Sequence, residues 1–525
     1  MMERRSSSES YLSHRYGAWS WLFTSDHKRI AILYLITISI FFLVAVINAF
    51  VLRVEALSSE GGLLQPETFG RIFTLHGLFA VFFFLLPALT SVLGNFLVPI
   101  ALGVDNVAYP RANLLGWYLF AAGGLLLSWS AAHGAVDTGW SLATPASALS
   151  SKSEVAEPAL AALLSVLSCA LMAVNIIATV HRSGGFSGRT GELRVIVVTQ
   201  YIAAIMSVLA TPFFVAAIQV LLRSPTLVRG PHIDPAEALL YRKLFWLYVP
   251  PALHAPLVCA VGIVTEIITT FTGNVPRREG FLVSCVLAIA VFGALSWGPH
   301  LFPGDLSPYL LSVSSLFSLL VAVPCVAIVM HWLAMLYRGP ARWTSPMMYA
   351  LVFAALFAIG GVSGMPLALS PLSVQLHSTS YETAYFHLFI AGGVITAFVA
   401  GLHFWWPKLT GRHHPEAVAK FIAVLILVGF NLTFLPRFFL GYFGEPTREY
   451  SYPTEFQALE VLSSAGTTIL FAGLAIPAFY LTWSFFWGRP AEDNPWDSRG
   501  HEWELPSPPA PAALASWESA LDKSA

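Results

Sequence analysis

Residues 74–100 read TLHGLFAVFFFLLPALTSVLGNFLVPI, a stretch without Asp, Glu, Lys or Arg and with one histidine, His76, near its start. About 20 apolar residues wound as a helix cross a hydrocarbon layer of about 30 Å, so the stretch predicts a membrane span. A second stretch, residues 381–405, is mostly apolar, with Glu382 at its edge and His403 near its end, and carries His387 near its start. If both helices enter the membrane from one face, the two imidazoles lie at similar depth. Two neutral imidazoles facing each other across a gap are what a six-coordinate, electron-transferring heme requires. A histidine near a helix end also serves as an interfacial hydrogen-bonding residue, and position alone leaves both uses open.

Working outward, apolar runs of that length recur about twelve times along the 525 residues. The chain is 56% hydrophobic and 11% charged, against roughly 25% charged in water-soluble domains, which predicts a lipid-embedded core. Its mean hydropathy is +0.69. A net charge of −1 argues against a nucleic-acid partner. Aromatic residues, 14% of the chain, suit packing around a large planar cofactor as well as lipid anchoring. Cys169, Cys259, Cys285 and Cys325 all lie in apolar runs without metal-finger spacing, and read as small core residues.

Loop charges set the expected orientation. Arg4, Arg5, Lys28 and Arg29 precede the first span, and positive clusters recur after even-numbered spans (Arg182, Arg189 and Arg194; Arg277 and Arg278; Arg338 and Arg342; Lys408 and Arg412). The alternate loops carry more acid, as in Glu55, Glu60 and Glu67 or Glu445, Glu449 and Glu455, with the basic Arg223–Lys243 loop as an exception. The positive-inside rule then puts both termini in the cytoplasm and His76 and His387 on the same, outer side. The expected organisation is a cytoplasmic N-terminal tail at 1–28, a transmembrane domain at 29–487 and a cytoplasmic, Pro-rich C-terminal tail at 488–525. The first 27 residues are polar and lack the apolar region of a cleaved signal peptide.

Several separated motifs occur in the order found in subunit I of the heme-copper oxidases. Ser25-Asp26-His27-Lys28-Arg29-Ile30 resembles that family's entry into its first helix. Gly94-Asn95-Phe96 and Ala108-Tyr109-Pro110-Arg111-Ala112-Asn113 resemble its second cytoplasmic-side loop, and Thr138-Gly139-Trp140 its outer-loop TGW. Asn494-Pro495-Trp496 and Glu502-Trp503-Glu504-Leu505-Pro506-Ser507-Pro508-Pro509 resemble its tail. The resemblance runs from about residue 20 to 510 and implies an all-α membrane protein, a bundle of about twelve helices. It implies that His76 and His387, the latter within Tyr385-Phe386-His387, are the two ligands of a low-spin heme, with Trp140 and Arg448 beside it. Arg448 corresponds to one of two arginines that hold heme propionates, its neighbour being Thr447; a solvated loop charge is the other reading.

The family's oxygen-reducing centre, a second heme facing a copper held by three histidines, is matched poorly. Tyr385 stands at the proximal ligand, and Pro250-Pro251-Ala252-Leu253-His254 replaces the HPEVY motif. Pro299-His300 replaces a histidine pair, leaving His300 as a relic copper ligand. His377 matches a histidine of an outer metal site whose aspartate is Ser378 here, so a hard cation loses its carboxylate. The proton routes are also altered: Ile328 stands at the channel lysine, Asn106 at the entry aspartate and Ala252 at the terminal glutamate, while Asn95 and Asn113 are kept. His331 and His403 match no family role and read as core or lining residues.

The expectation is therefore a respiratory electron-transport subunit of a bacterial inner membrane, with one low-spin heme, copper unlikely and a second heme doubtful. Other subunits, of the subunit II and III kind, would be its partners, and cytochrome c, quinol or another subunit its electron donor. An active terminal oxidase rebuilt on Tyr385, His254 and His300 stands as one alternative. A heme-free scaffold or transporter stands as the other.

Overall fold

The computed structural model describes residues 9–14, 17–134, 137–142, 155–185, 194–223, 234–274, 279–297, 307–448 and 450–512. Twelve apolar helices carry the fold: α1 His27–Glu55, α2 Pro66–Ala101, α3 Pro110–Ala132, α4 Ala156–Arg182, α5 Val195–Arg223 and α6 Pro235–Thr272. They continue as α7 Glu279–Leu295, α8 Pro308–Tyr337, α9 Ser345–Ser363, α10 Ser380–Thr410, α11 Glu416–Tyr442 and α12 Gln457–Trp487. Eleven are long and apolar enough to cross a membrane, and α7 is a shorter apolar helix. Against the roughly twelve spans expected from hydropathy, the described residues give eleven helices of spanning length plus the shorter α7, and the protein is a multi-pass membrane protein.

The helix starts follow local chemistry. Asp26 caps α1 by accepting from the Lys28 amide, Asp234 caps α6 through Ala236, and Thr379 caps α10 through Tyr381. Sequential helices pack side by side, α3 on α4, α5 on α6 and α11 on α12. Burial ranks the helices by position. The apolar window of α10 is entirely buried and that of α6 is 89% buried, against 28% for α8, so α10 and α6 form the centre. Both histidine-bearing helices depart from regular α geometry next to the histidine. In α2, π turns span Val81–Leu85 and Ala88–Gly94 around Pro87; in α10 a π turn begins at His387. Such turns re-aim side chains within a helix and cluster at functional sites.

The C-terminal segment differs from the extended tail expected. Through residue 512 it is docked onto the ends of the bundle that α5 and α10 share. His413 N donates to Arg489 O (2.8 Å), Trp496 Nε1 to Phe404 O (2.7 Å), and the buried Lys408 Nζ to the carbonyls of Asp493 (3.0 Å) and Leu505 (2.5 Å). Arg194 forms ion pairs with both Glu502 in this segment and Glu266 in α6. The N-terminal segment joins the same layer, Tyr11 N donating to Pro509 O (3.0 Å) and Tyr11 Oη to Leu409 O (2.6 Å). Proline lowers helix propensity, as the composition indicated, but Trp496 and Trp503 supply buried anchors that hold the segment down.

Candidate cofactor site

His76 and His387 come together. Their ring centres are 6.1 Å apart and their planes differ by 7°. Each Nδ1 is tied to a backbone carbonyl, His76 to Ala45 of α1 at 2.9 Å and His387 to Thr383 one turn back in α10 at 2.8 Å. A carbonyl only accepts, so each Nδ1 carries the proton and each Nε2 keeps its lone pair. Among the described residues neither Nε2 has a hydrogen-bond partner, and both histidines line one cavity of about 770 Å³. The donor set fits a metal ion between the rings. Metal–nitrogen bonds of about 2 Å, with each ring centre about 1.1 Å beyond its nitrogen, place two imidazole centres about 6 Å apart. Carbonyl bonds to Nδ1 are also the usual way a ligating imidazole is oriented.

Aromatic rings frame the pair. Phe434 of α11 stacks on His387 with centres 4.6 Å apart, and Trp140 lies over Phe386 at 6.4 Å and 26°. Trp140 reaches this position because residue 77, one place after His76, is glycine: a Cβ there would stand 2.5 Å from Trp140 Cβ.

One end of the cavity is polar, and most of that chemistry escaped the sequence reading. Arg53 of α1, Arg437 of α11, Glu445 of the following loop and Glu460 of α12 all line it. Arg437 Nη1 meets Glu460 Oε1 at 3.0 Å, and its Nη2 donates to Ser380 Oγ at 2.7 Å and lies 3.7 Å from Glu445 Oε2. Arg53 pairs with Glu460 and donates to Ser464 Oγ at 3.1 Å. Charged residues inside or bordering apolar runs were the available signal, since burying them is costly unless they are paired. Arg448 lies nearby, over the Phe73 ring at 5.5 Å and ion-paired with Asp137. Arg448 is therefore partly exposed and ion-paired at the mouth of the cavity.

The cavity continues past the histidines into a mostly apolar lobe that reaches His254 and Tyr385. Tyr385 sets a ring edge against Gly364, where a Cβ would stand 2.6 Å from its Cε2, and stacks on Phe389 at 5.6 Å. His254 Nδ1 bonds the Pro250 carbonyl at 2.7 Å. His300 lies outside the described residues. His377 lines the polar side of the cavity and meets Glu382 at 3.3 Å. Among the described residues no group of three His, Cys, Asp or Glu is placed to hold a metal ion.

Farther from the cavity, Ile328 is buried and Asn95 and Asn113 hydrogen-bond each other. Asn106 Nδ2 donates to Ser25 O at 3.0 Å. His403 is a core residue, its Nε2 on Tyr480 Oη at 2.5 Å, and His331 is a partly buried residue beside Phe281.

Comparison with known proteins bears on this arrangement. The family model described as "Cytochrome C and Quinol oxidase polypeptide I" matches residues 29–469. Cytochrome c oxidase subunit 1 of Thermostichus vulcanus is 30% identical over 95% of this chain and 91% of its own length. The Bacillus subtilis (strain 168) protein of the same name is 30% identical over 94% of this chain and 80% of its own. A protein of Aeropyrum pernix called heme-copper oxidase subunit I+III is 31% identical over 94% of this chain and 61% of its own. In architecture the chain is similar to a heme-copper terminal oxidase dimer solved by cryo-EM, with a TM-score of 0.76 at 17% identity, over 95% of this chain and 89% of that one.

Proposed function

The chain belongs to the cytochrome c and quinol oxidase subunit I family, and from that premise we propose that it is an electron-transfer subunit of a respiratory membrane complex, holding one low-spin heme between His76 and His387 and lacking the copper-containing oxygen-reducing centre. A bis-histidine heme, when bound, supplies reversible one-electron chemistry at a coordinatively saturated iron. The observation that carries the reading is the histidine pair itself: two near-parallel imidazoles 6.1 Å apart, each with Nδ1 committed to a carbonyl.

The chain's own residues supply the rest. Ala45 and Thr383 orient the rings, Phe434 covers one face of His387, and Trp140 packs on the neighbouring Phe386. Arg437 and Arg448 offer guanidinium groups at the polar end of the cavity, where propionates would accept hydrogen bonds. Loss of oxygen reduction is supported by Tyr385 lying against Gly364 rather than a histidine standing there, and by Ala252 and Ile328 on the former proton routes. Both termini in the cytoplasm of a bacterium, partner subunits of the II and III kind, and cytochrome c, quinol or another subunit as donor complete the proposal.

A second reading, an oxidase with a rebuilt centre, has one observation in its favour, that the cavity extends to His254 and Tyr385. Pyridine hemochrome and copper analysis of the purified protein separates the readings. One heme without copper supports electron transfer. Two hemes with one copper mean that the centre has been rebuilt, and no heme leaves a scaffold.

A further inference from the structure

Four charged side chains from four chain segments converge at the polar end of the cavity that His76 and His387 line, and two of them are carboxyls gathered on the Arg437 guanidinium. Glu445 and Glu460 are each 3% exposed. Arg437 joins them, its Nη1 3.0 Å from Glu460 Oε1 and its Nη2 3.7 Å from Glu445 Oε2. Two buried carboxylates gathered on one guanidinium repel each other, which favours a proton on one of them. The surroundings decide which oxygen carries it. Glu460 faces two guanidiniums, Arg437 at 3.0 Å and Arg53 in direct contact, and so keeps its negative charge. Glu445 has Arg437 only at 3.7 Å, with Ser380 Oγ donating to it, and is the carboxyl that holds the proton.

The other charged or titratable neighbours among the described residues are accounted for. Tyr452 Oη is committed to Ala56 O at 2.8 Å, Arg448 to Asp137, and His377 to Glu382. Glu55 accepts from the amides of Gly62, Leu63 and Leu64. With Glu445 protonated the quartet Arg53, Arg437, Glu445 and Glu460 carries one net positive charge; with Glu445 ionised it carries none. In either state both guanidiniums stay in contact with the Glu460 carboxylate, so the proton changes the net charge without leaving an arginine with no acidic partner.

We propose that the Glu445–Glu460 carboxyl pair is a proton-binding site coupled to the electron that the His76–His387 site accepts. This rests on the bis-histidine reading above and adds a proton to its electron. A heme held by His76 and His387 would, when bound, take one electron from an external donor, and the cavity would gain one negative charge. A proton from the aqueous phase then forms an O–H bond at Glu445, and the quartet gains the compensating positive charge. Reoxidation by the downstream acceptor releases the proton to water. Glu445 suits the exchange because it sits in the loop after α11 and not within a span, while Arg437 and Arg53 hold its partner Glu460 still. Burial, and the neighbouring Glu460, push the Glu445 carboxyl up to about 7 despite Arg437, so its proton is exchanged near neutral pH.

The experiment is a spectroelectrochemical titration of the heme-loaded full chain at a series of pH values, followed at the visible absorption of the low-spin heme. The expected result is a midpoint potential that falls between about pH 6 and 8, approaching a tenfold change in the redox equilibrium per pH unit, about 59 mV for one proton per electron. E445Q should flatten the dependence while leaving the bis-histidine spectrum intact, and E445D should retain a slope. A second readout needs no variant. Reduction should add a protonated-carboxyl infrared band that shifts when glutamate is labelled with ¹³C. A flat wild-type titration, a full slope persisting in E445Q, or no such band would overturn the proposal. A preparation without a bis-histidine spectrum overturns the electron-transfer reading and this proposal together, whereas a normal spectrum with a flat slope overturns this proposal alone.

Discussion

The side-chain amides of Asn95 and Asn113 are hydrogen-bonded to each other in both directions, each Nδ2 donating to the partner's Oδ1 at 3.2 and 2.8 Å. Both residues are fully buried, and His27 Nδ1 on the Asn95 carbonyl closes the third side. Two amides that satisfy each other are a structural joint between α2 and α3. Replacing one strands the other. N113L should cost about 1–3 kcal/mol, the price of an unsatisfied buried amide, and the double variant N95L/N113L should recover part of it. Thermal unfolding of the four proteins of the cycle in one detergent checks this; full additivity of the two losses would contradict it.

Stability should depend on pH through Glu445. Burial first, then Glu460, raises its carboxyl from 4.5 to about 7, against the pull of Arg437. A raised carboxyl binds its proton more tightly folded than unfolded, so its contribution is fully present below about 4.5 and is lost as pH rises through about 7. Wild-type unfolding temperature should therefore decline across that window relative to E445Q, which has no proton to lose. Parallel curves for the two proteins would refute the assignment.

The Asp137–Arg448 ion pair places a carboxylate at the rim of the cavity. D137N removes that negative charge and leaves a guanidinium unbalanced, which disfavours the oxidised, more positive state of a group in the cavity. The midpoint potential should rise in D137N and fall in R448L, with stability moving by only about 1 kcal/mol because the pair is partly exposed. Equal shifts in the same direction would mean that the pair acts through structure and not charge.

Lys408 is buried and holds the C-terminal segment by its Nζ on the carbonyls of Asp493 and Leu505, with the ammonium 5.4 Å from the centre of the Trp503 ring. K408M keeps the length and removes the donors. Segment 488–512 should then open more readily, and limited proteolysis there should speed up several-fold, while the absorption of the cofactor at His76 and His387 stays unchanged. A cleavage rate equal to wild type would show that Trp496, Trp503 and the Arg194–Glu502 pair hold the segment without Lys408.

Individual residues show how far the sequence could be read. His76 and His387 stood out because a histidine in an otherwise apolar run is conspicuous, and the pattern of loop charges already put them on one face. Arg437 and Glu460 sit in comparable runs but were not singled out, because each makes sense only once its partner is known. Glu445 was counted as one loop acid among several, and its contact with α11 and α12 depends on how that loop folds back. The Pro-rich composition of residues 488–512 indicated little helix, and the segment is indeed largely irregular. Its docking comes from two tryptophans and a buried lysine, whose partners lie on other segments.

The sequence by itself determined the many-helix membrane architecture, the family and the two conspicuous histidines, since each depends on local hydropathy or on short motifs in order. Only the tertiary structure decided that the imidazoles lie within 7° of parallel with both Nδ1 atoms tied back, and that two arginines and two glutamates assemble beside them. The physical reason is range. A helix forms from neighbours a few residues apart, but the cost of burying a charge or aiming a ring is met by groups from α1, α10, α11 and α12, which adjoin only after the bundle has packed.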